Sequence, residues 1–305
     1  MTAITGREAL LLVNPVSGSG RGLKLWPETA SALRAVGFTL TVTITESLDD
    51  ATAQARQAEP GNLVAVLGGD GFLGAAAAGA RDSGAVILPL AGGRGNDTVR
   101  RLGLPLNPVT TVRALTTLDV KALDLGLING RAYFGVANVG FDGLANEYGN
   151  NARLYLGPFV YLYGGLKAIL NWRNVTFTVT TDDRPTTFSG WFVAVGNVGQ
   201  YGGGLRICPE AKADDGLLDV VSLGRAGVLS MIATFLRSYR GTHLKQRSIS
   251  FDRGSRVTIT ANKPLNVYAD GEMVCALPAS VEVVPLAVKV LVPPSSCALG
   301  ATHPA

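Results

Sequence analysis

The sequence predicts an α/β domain built on a parallel sheet, followed by a β-rich domain. Three observations carry this expectation. Strand-like and helix-like segments alternate through the first 120 residues, in the spacing of repeated βα units. Near Val120 the pattern changes to a hairpin and a series of short strands. The 305-residue length suits two domains, and 47% apolar against 16% charged residues provides for a core in each and excludes wholesale disorder.

The first half reads in order as follows. Residues 9–13 (ALLLV) are a short apolar strand, and 14–22 (NPVSGSGRG) a turn-rich loop. Residues 23–36 read as a helix whose first part Pro27 disturbs. Alternating β-branched residues over 38–45 predict a strand, 48–58 a helix and 62–67 (NLVAVL) a buried strand. The Ala-rich stretch 72–81 predicts a helix, 85–88 a strand, and 96–102 opens another helix.

In the second half, 123–128 and 131–137 flank Asn129-Gly130, the dipeptide of a tight hairpin turn. Strands are expected at 175–180, 191–195, 218–222, 257–260, 265–269 and 281–284. Helical patterns over 153–171 and 227–239 interrupt them. Residues 287–292 (AVKVLV) predict a last strand that returns to either domain. The expected domains are 1–122, which 287–305 can rejoin, and 123–286.

Composition narrows the function. A net charge of +4 is too mild to argue for nucleic acid. Cys208, Cys275 and Cys297 are odd in number and widely spaced, which fits neither a disulfide framework nor a zinc site. With no secretory h-region at the start, the expected location is cytoplasmic. No run of 18 apolar residues occurs, so a spanning helix is not expected, whereas peripheral membrane contact remains open. Residues 237–256 hold six basic residues against one acid, Asp252. Such a patch either faces acidic lipid or phosphate or is a solvated face. His243 and His303 match no triad or metal spacing.

Three glycine-rich loops follow predicted strands: residues 14–22, Gly68-Gly69-Asp70-Gly71, and Gly92-Gly93-Arg94-Gly95-Asn96-Asp97. All fall at carboxyl ends of parallel strands, where open α/β sheets bind ligands. A glycine turn running into a helix offers free N–H groups to an anion, so three together point to a phosphate site. None is a Walker A loop or a dinucleotide fingerprint. Asp70 is either a turn aspartate or a carboxylate that meets phosphate through Mg²⁺. Asp214, Asp215 and Asp219 are either hard ligands on a tight turn or part of an ordinary turn. Glu272 follows the hairpin dipeptide Asp270-Gly271, as a positioned base or as a solvated glutamate.

The chain resembles bacterial lipid kinases of the diacylglycerol kinase catalytic-domain family. The resemblance rests on NPVSGSGRG (14–22), TESLDDA (45–51), GGDG (68–71), GGRGND (92–97), NVGFDG (138–143), GGGLRICPEAKADDGLLDVV (202–221) and ADGE (269–272), in family order over nearly the full length. It implies a Rossmann-like nucleotide domain and a β-sandwich-like domain, with ATP and lipid meeting between them. It further implies that Asn14, Pro15, Ser17, Thr45, Gly68, Gly69, Asp70, Gly71, Phe72, Gly74, Arg94 and Asn96 line ATP. Asp70 would help place Mg²⁺ and the γ-phosphate. Asp215, with the backbone carbonyls of Lys212 and Leu217, would hold a second Mg²⁺. Glu272 would be the general base.

The partners so implied are ATP and a lipid at the inner membrane surface, with homodimerisation open and no nucleic acid. The helical pattern ending at Trp172 would either line the lipid entrance or pack in the core. The chain departs from the family pattern at Phe72, Gly74 and Ala75, losing a hydroxyl, an amide and a carboxylate, and at Arg94, which adds a charged donor. Diacylglycerol is the first acceptor expected. Another lipid, or a catalytically dead nucleotide- or lipid-binding regulator, is the alternative.

Overall fold

The computed structural model describes residues 6–141, 172 and 175–300. The helical pattern at 153–171 and His303 lie outside them. Strands β1 (Glu8–Val13), β2 (Thr39–Ile44), β3 (Leu63–Gly68) and β4 (Val86–Ala91) form a parallel sheet in the order β2-β1-β3-β4. Strands β3 and β4 are buried along their whole length, as near-continuous apolar runs under two helical layers must be. Their fully buried leucines stabilise the sheet by about 1.5–3 kcal/mol each.

Helices α1 (Arg21–Ala35) and α5 (Pro108–Arg113) cover one face, where Ala30, Leu33 and Val112 meet Leu11, Leu63 and Leu88. Helices α2 (Leu48–Arg56) and α3 (Asp70–Ser83) cover the other, where Ala51, Ala55, Ala76 and Ala80 meet Leu12, Val64 and Val66. Helix α1 runs through Pro27 instead of breaking there. Helix α4 (Asp97–Leu102) follows β4.

The second half is an antiparallel β-sandwich-like layer. It contains β5 (Asp119–Ile128), β6 (Arg131–Tyr133), β7 (Val136–Gly140), β8 (Val175–Thr181), β9 (Arg184–Gly196), β10 (Leu218–Gly224), β11 (Ile249–Gly254), β12 (Arg256–Ala261), β13 (Asn266–Ala269), β14 (Glu272–Ala276) and β15 (Ala279–Val292), with α6 (Val228–Ser238) after β10. Phe177, Val193, Val257 and Val281 sit in one of its cores, and Phe192, Cys208, Val221 and Met231 in another. The Asn129-Gly130 turn forms as expected, with φ of +46° and +82° and Ile128 opposite Arg131. Its return arm stops early. The Asp270 carboxylate takes the N–H groups of Phe134, Gly135 and Val136, and β7 leaves to pair with β9 and β13.

The two strands expected at 281–284 and 287–292 are one strand, β15, with a register shift between Val284 and Val288. Its first half pairs antiparallel with β12 and β5. Lys289 and Val290 then pair parallel with Val86 and Ile87 of β4. Strand β15 therefore belongs to both halves and joins them into one continuous sheet. Strands β11 and β14 and helix α5 have no counterpart in the sequence reading. Asp252 and Arg253 break the apolar signal of β11, β14 is a short strand at the end of the sheet order, and α5 is only six residues long.

Candidate active site

The strand order reverses between β1 and β3, and the helices that follow them, α1 and α3, pack on opposite faces of the sheet. A crevice thus opens at the carboxyl ends of β1 and β3. All three glycine-rich loops gather there. The Asn14 N–H donates to the Leu67 carbonyl and the Gly92 N–H to that of Gly68. A Cβ on Gly93 would stand 2.7 Å from the Gly69 Cα, so Gly93 tolerates no side chain without the loops parting. Gly18, with φ +57°, would put its Cβ 2.7 Å from the Gly92 carbonyl oxygen.

The helices that leave these loops differ from their neighbours. Helices α2 and α5 carry side-chain caps from Ser47 and Asn107. At α1, α3 and α4 the capping positions are Gly20, Gly69 and Asn96, and none makes a side-chain cap. The positive ends of the α1 and α3 dipoles, left without a side-chain cap, thus meet at one crevice, as an anion requires.

Asp70 accepts from the N–H groups of Asp97 (3.1 Å) and Thr98 (2.8 Å), so it caps α4 from across the crevice. It therefore does not bond within its own turn. The residue keeps some exposed surface, but its carboxylate is enclosed by protein. Burial pushes its pKa up against those two N–H groups, with help from the nearby charge of Asp97. Asp270 faces it from the β13–β14 turn, at φ +50° beside Gly271 at +87°. Burial and the charge of Asp70 push Asp270 up to about 7, although three backbone N–H groups bond to it. Glu272 opens β14 with its side chain exposed and packs on the first turn of α3.

Other residues of the expected site take part unevenly. The Asn14 side chain accepts from the Val16 N–H, and the Thr45 hydroxyl donates to the Val13 carbonyl, so both shape the first loop and its neighbour. Pro15 lies in that loop, and Ser17 Oγ is 3.4 Å from the place of a Cβ on Gly69. The Arg94 guanidinium donates to Ser19 Oγ and closes loop on loop. Both polar ends of the Asn96 side chain bond to Gly93, so it braces its own turn. Phe72 is 2% exposed and its ring packs on Gly68, which leaves only its backbone near the crevice. A Cβ on Gly74 would sit 3.4 Å from an Asp270 carboxylate oxygen.

The acidic turn after residue 211 lies elsewhere. Asp215 accepts from the Leu217 N–H, and the Lys212 ammonium donates to the Cys297 carbonyl. The fully buried Asp124, missed in the sequence, holds this turn by accepting from Gly216 and Leu286 N–H groups. Burial and the charges of Asp215 and Asp214 push the Asp124 pKa up; burial does the same at Asp215. Among the described residues, no three His, Cys, Asp or Glu side chains stand close enough to hold a metal ion.

Asp97 and Arg101 were also missed as site residues. Asp97 accepts from the Gly203 N–H (2.8 Å) and the Gln200 amide (3.2 Å). Arg101 donates to the carbonyls of Val198, Pro209 and Ala211. One short helix, α4, thus fastens the two halves together. An Asp directly after the Gly-rich run was the available signal for Asp97. Nothing in the sequence marks Arg101.

Residues 8–128 match the family model of the diacylglycerol kinase catalytic domain, and residues 135–292 that of the YegS C-terminal NAD kinase beta sandwich-like domain. A Mycobacterium tuberculosis diacylglycerol kinase is 32% identical over 291 residues, covering 92% of this chain and 94% of its own. One from Staphylococcus carnosus is 24% identical, covering 90% and 91%. The solved structure of a diacylglycerol kinase from Bacillus anthracis shares the fold, with TM-score 0.72 at 21% identity over 95% of this chain and 98% of that one. The family model and the curated relatives together are those of a kinase. The chain belongs to the diacylglycerol kinase catalytic-domain family.

Proposed function

We propose that the chain is an ATP-dependent lipid kinase that phosphorylates a lipid hydroxyl, with diacylglycerol the favoured acceptor and phosphatidic acid the product. The observation that carries this reading is the contact between Glu272 and Gly71, which sets a carboxylate from one half beside the glycine-rich anion cradle of the other. We divide the chain at residues 122 and 123, with 287–305 returning to the nucleotide half.

In this reading the N–H groups of the three loops receive the phosphates of ATP, with Ser17 and Arg94 beside them. Glu272 accepts the proton of the lipid hydroxyl as its oxygen bonds to the γ-phosphorus. The bond to the bridging oxygen breaks and ADP leaves. Asp70 and Asp270 are two carboxylates with raised pKa values, a surplus of negative charge that suits the Mg²⁺ carried by ATP. When bound, Mg²⁺ would neutralise charge on the transferring phosphate. Asp215, with the carbonyls of Lys212 and Leu217, offers hard oxygen atoms for a second ion, and the crowding of Asp124, Asp214 and Asp215 favours one. The lipid acceptor assigns the work to the cytoplasmic membrane surface.

A second reading, a regulator without turnover, draws on the burial of Phe72 where the family pattern has a hydroxyl. Radiolabelled Mg²⁺–ATP and mixed micelles of diacylglycerol, a sphingoid base or a glycolipid separate the two. Phosphorylated diacylglycerol is expected. Label on another lipid reassigns the acceptor, and no label on any lipid favours the regulator.

A further inference from the structure

We propose that α6 is a membrane-docking helix, which lays its outward face into the interface of a bilayer carrying anionic lipid. The helix is apolar on the wrong side for a water-facing element. Leu229 is 84% exposed, Leu236 61% and Phe235 48%, and Val228, Ile232 and Tyr239 stand open beside them. The buried face holds Met231, Thr234 and Ser238. Two of these three are hydroxyls, and they bond back to the helix's own carbonyls at Ser230 and Phe235. An amphipathic surface helix of a globular protein points its apolar stripe inward. Here the solvent side is the more apolar, which is the pattern of a helix that has a partner.

Charge identifies the partner. Between Asp219 and Asp252 the chain has no acidic residue, and Arg225, Arg237, Arg240, Lys245 and Arg247 all lie exposed in that interval. A symmetric pairing of two copies through α6 would set this basic flank against itself, so a second copy fits poorly. Anionic headgroups match it, and an apolar face flanked by Arg and Lys suits burial about 5–10 Å into the headgroup–acyl boundary. No helix among the described residues is long and apolar enough to cross a membrane.

The face also sits where docking serves the crevice. The Arg206 N–H donates to the Ser238 carbonyl. A Cβ on Gly204 would stand 3.9 Å from the Tyr239 ring, and the adjacent Gly203 donates to Asp97 beside Asp70. The loop over residues 201–206 therefore runs from the end of α6 to the catalytic crevice. The inference rests on the lipid-kinase reading only for its purpose, because no α6 residue is assigned to phosphoryl transfer.

The test is co-sedimentation of the full chain with phosphatidylcholine vesicles, with and without phosphatidylglycerol, in the absence of ATP and diacylglycerol. The parent is expected to bind only the anionic vesicles and to release as salt rises. Leu229→Ser, Phe235→Ser and Leu236→Ser combined should weaken binding at least about tenfold, the scale of withdrawing even one such side chain. An unchanged melting temperature shows that the variant folds. Arg237→Glu with Arg240→Glu should also weaken binding. Three results would overturn the proposal: a parent that does not sediment, a triple variant that binds like the parent, or a parent dimer that the triple variant turns into monomer. The same proteins assayed on micellar diacylglycerol keep the two readings apart. Vesicle binding without phosphorylation sinks the kinase and keeps the docking helix. Phosphorylation with vesicle binding indifferent to the triple variant does the reverse.

Discussion

A Cβ built on Gly71 would stand 3.1 Å from Cγ of Glu272, so the first turn of α3 and the start of β14 are in van der Waals contact. Gly71→Ala pushes the Glu272 stem aside by a few tenths of an ångström without touching a core residue. Lipid phosphorylation is expected to fall by up to about 10²-fold, the scale of a misplaced catalytic group, with melting temperature nearly constant. Turnover equal to the parent's would separate Glu272 from the chemistry.

Glu272→Gln keeps the size of the side chain and removes its capacity to take a proton. Phosphorylation is expected to drop about 10²- to 10⁴-fold while nucleotide binding, read by calorimetry, persists. Full activity would dismiss Glu272 as the base and leave the kinase itself standing.

Asp70→Ala should act on both function and stability. Turnover is expected to fall at least about 100-fold with loss of the charge near the phosphate. The α4 N-terminus loses its cap, which costs about 1 kcal/mol in denaturant unfolding. Loss of activity with no loss of stability would show that the two N–H contacts at Asp97 and Thr98 are incidental.

Asp270 gives the fold a pH signature. Its pKa stands at about 7 instead of 3.8, so between those values the folded chain holds a proton that the unfolded chain has released. Its contribution to stability is full below pH 3.8 and is lost as pH rises through about 7. Melting temperatures of the parent across that window should therefore decline more steeply than those of Asp270→Asn. Added Mg²⁺ should raise the parent's melting temperature more at high pH, where both Asp70 and Asp270 are charged. Parallel curves for parent and variant would contradict the assignment.

The Asp215 turn provides a separate metal test. Mg²⁺ without nucleotide is expected to raise the melting temperature by mass action, and Asp215→Ala to reduce that response. The same shift in both proteins would locate the stabilising ion elsewhere.

The parallel half was legible because its signals are local. Apolar runs such as 62–67 and the Gly-rich turns after them fix both the strands and the ends where ligands bind. What escaped depends on distance along the chain. Asp270 reads as a hairpin aspartate, yet its carboxylate bonds to N–H groups some 135 residues away. Arg101 looks like a surface residue of a short helix, and only the folded chain brings three carbonyls around it. Residues 281–284 and 287–292 read as two strands, but the interruption between them is local. It is a bulge because Asp124 takes the Leu286 N–H that the ladder gives up.

The shared strand β15 has a consequence for biosynthesis. It leaves the ribosome after every other described strand, yet it lies between β4 and β12 in the sheet. Until then β4 presents an open, fully apolar edge, and a nascent α/β half can stick to another through it. Co-translational folding of the first half alone is therefore hazardous. Fragments ending near residue 122 should form inclusion bodies, and supplying residues 279–292 in trans should rescue them.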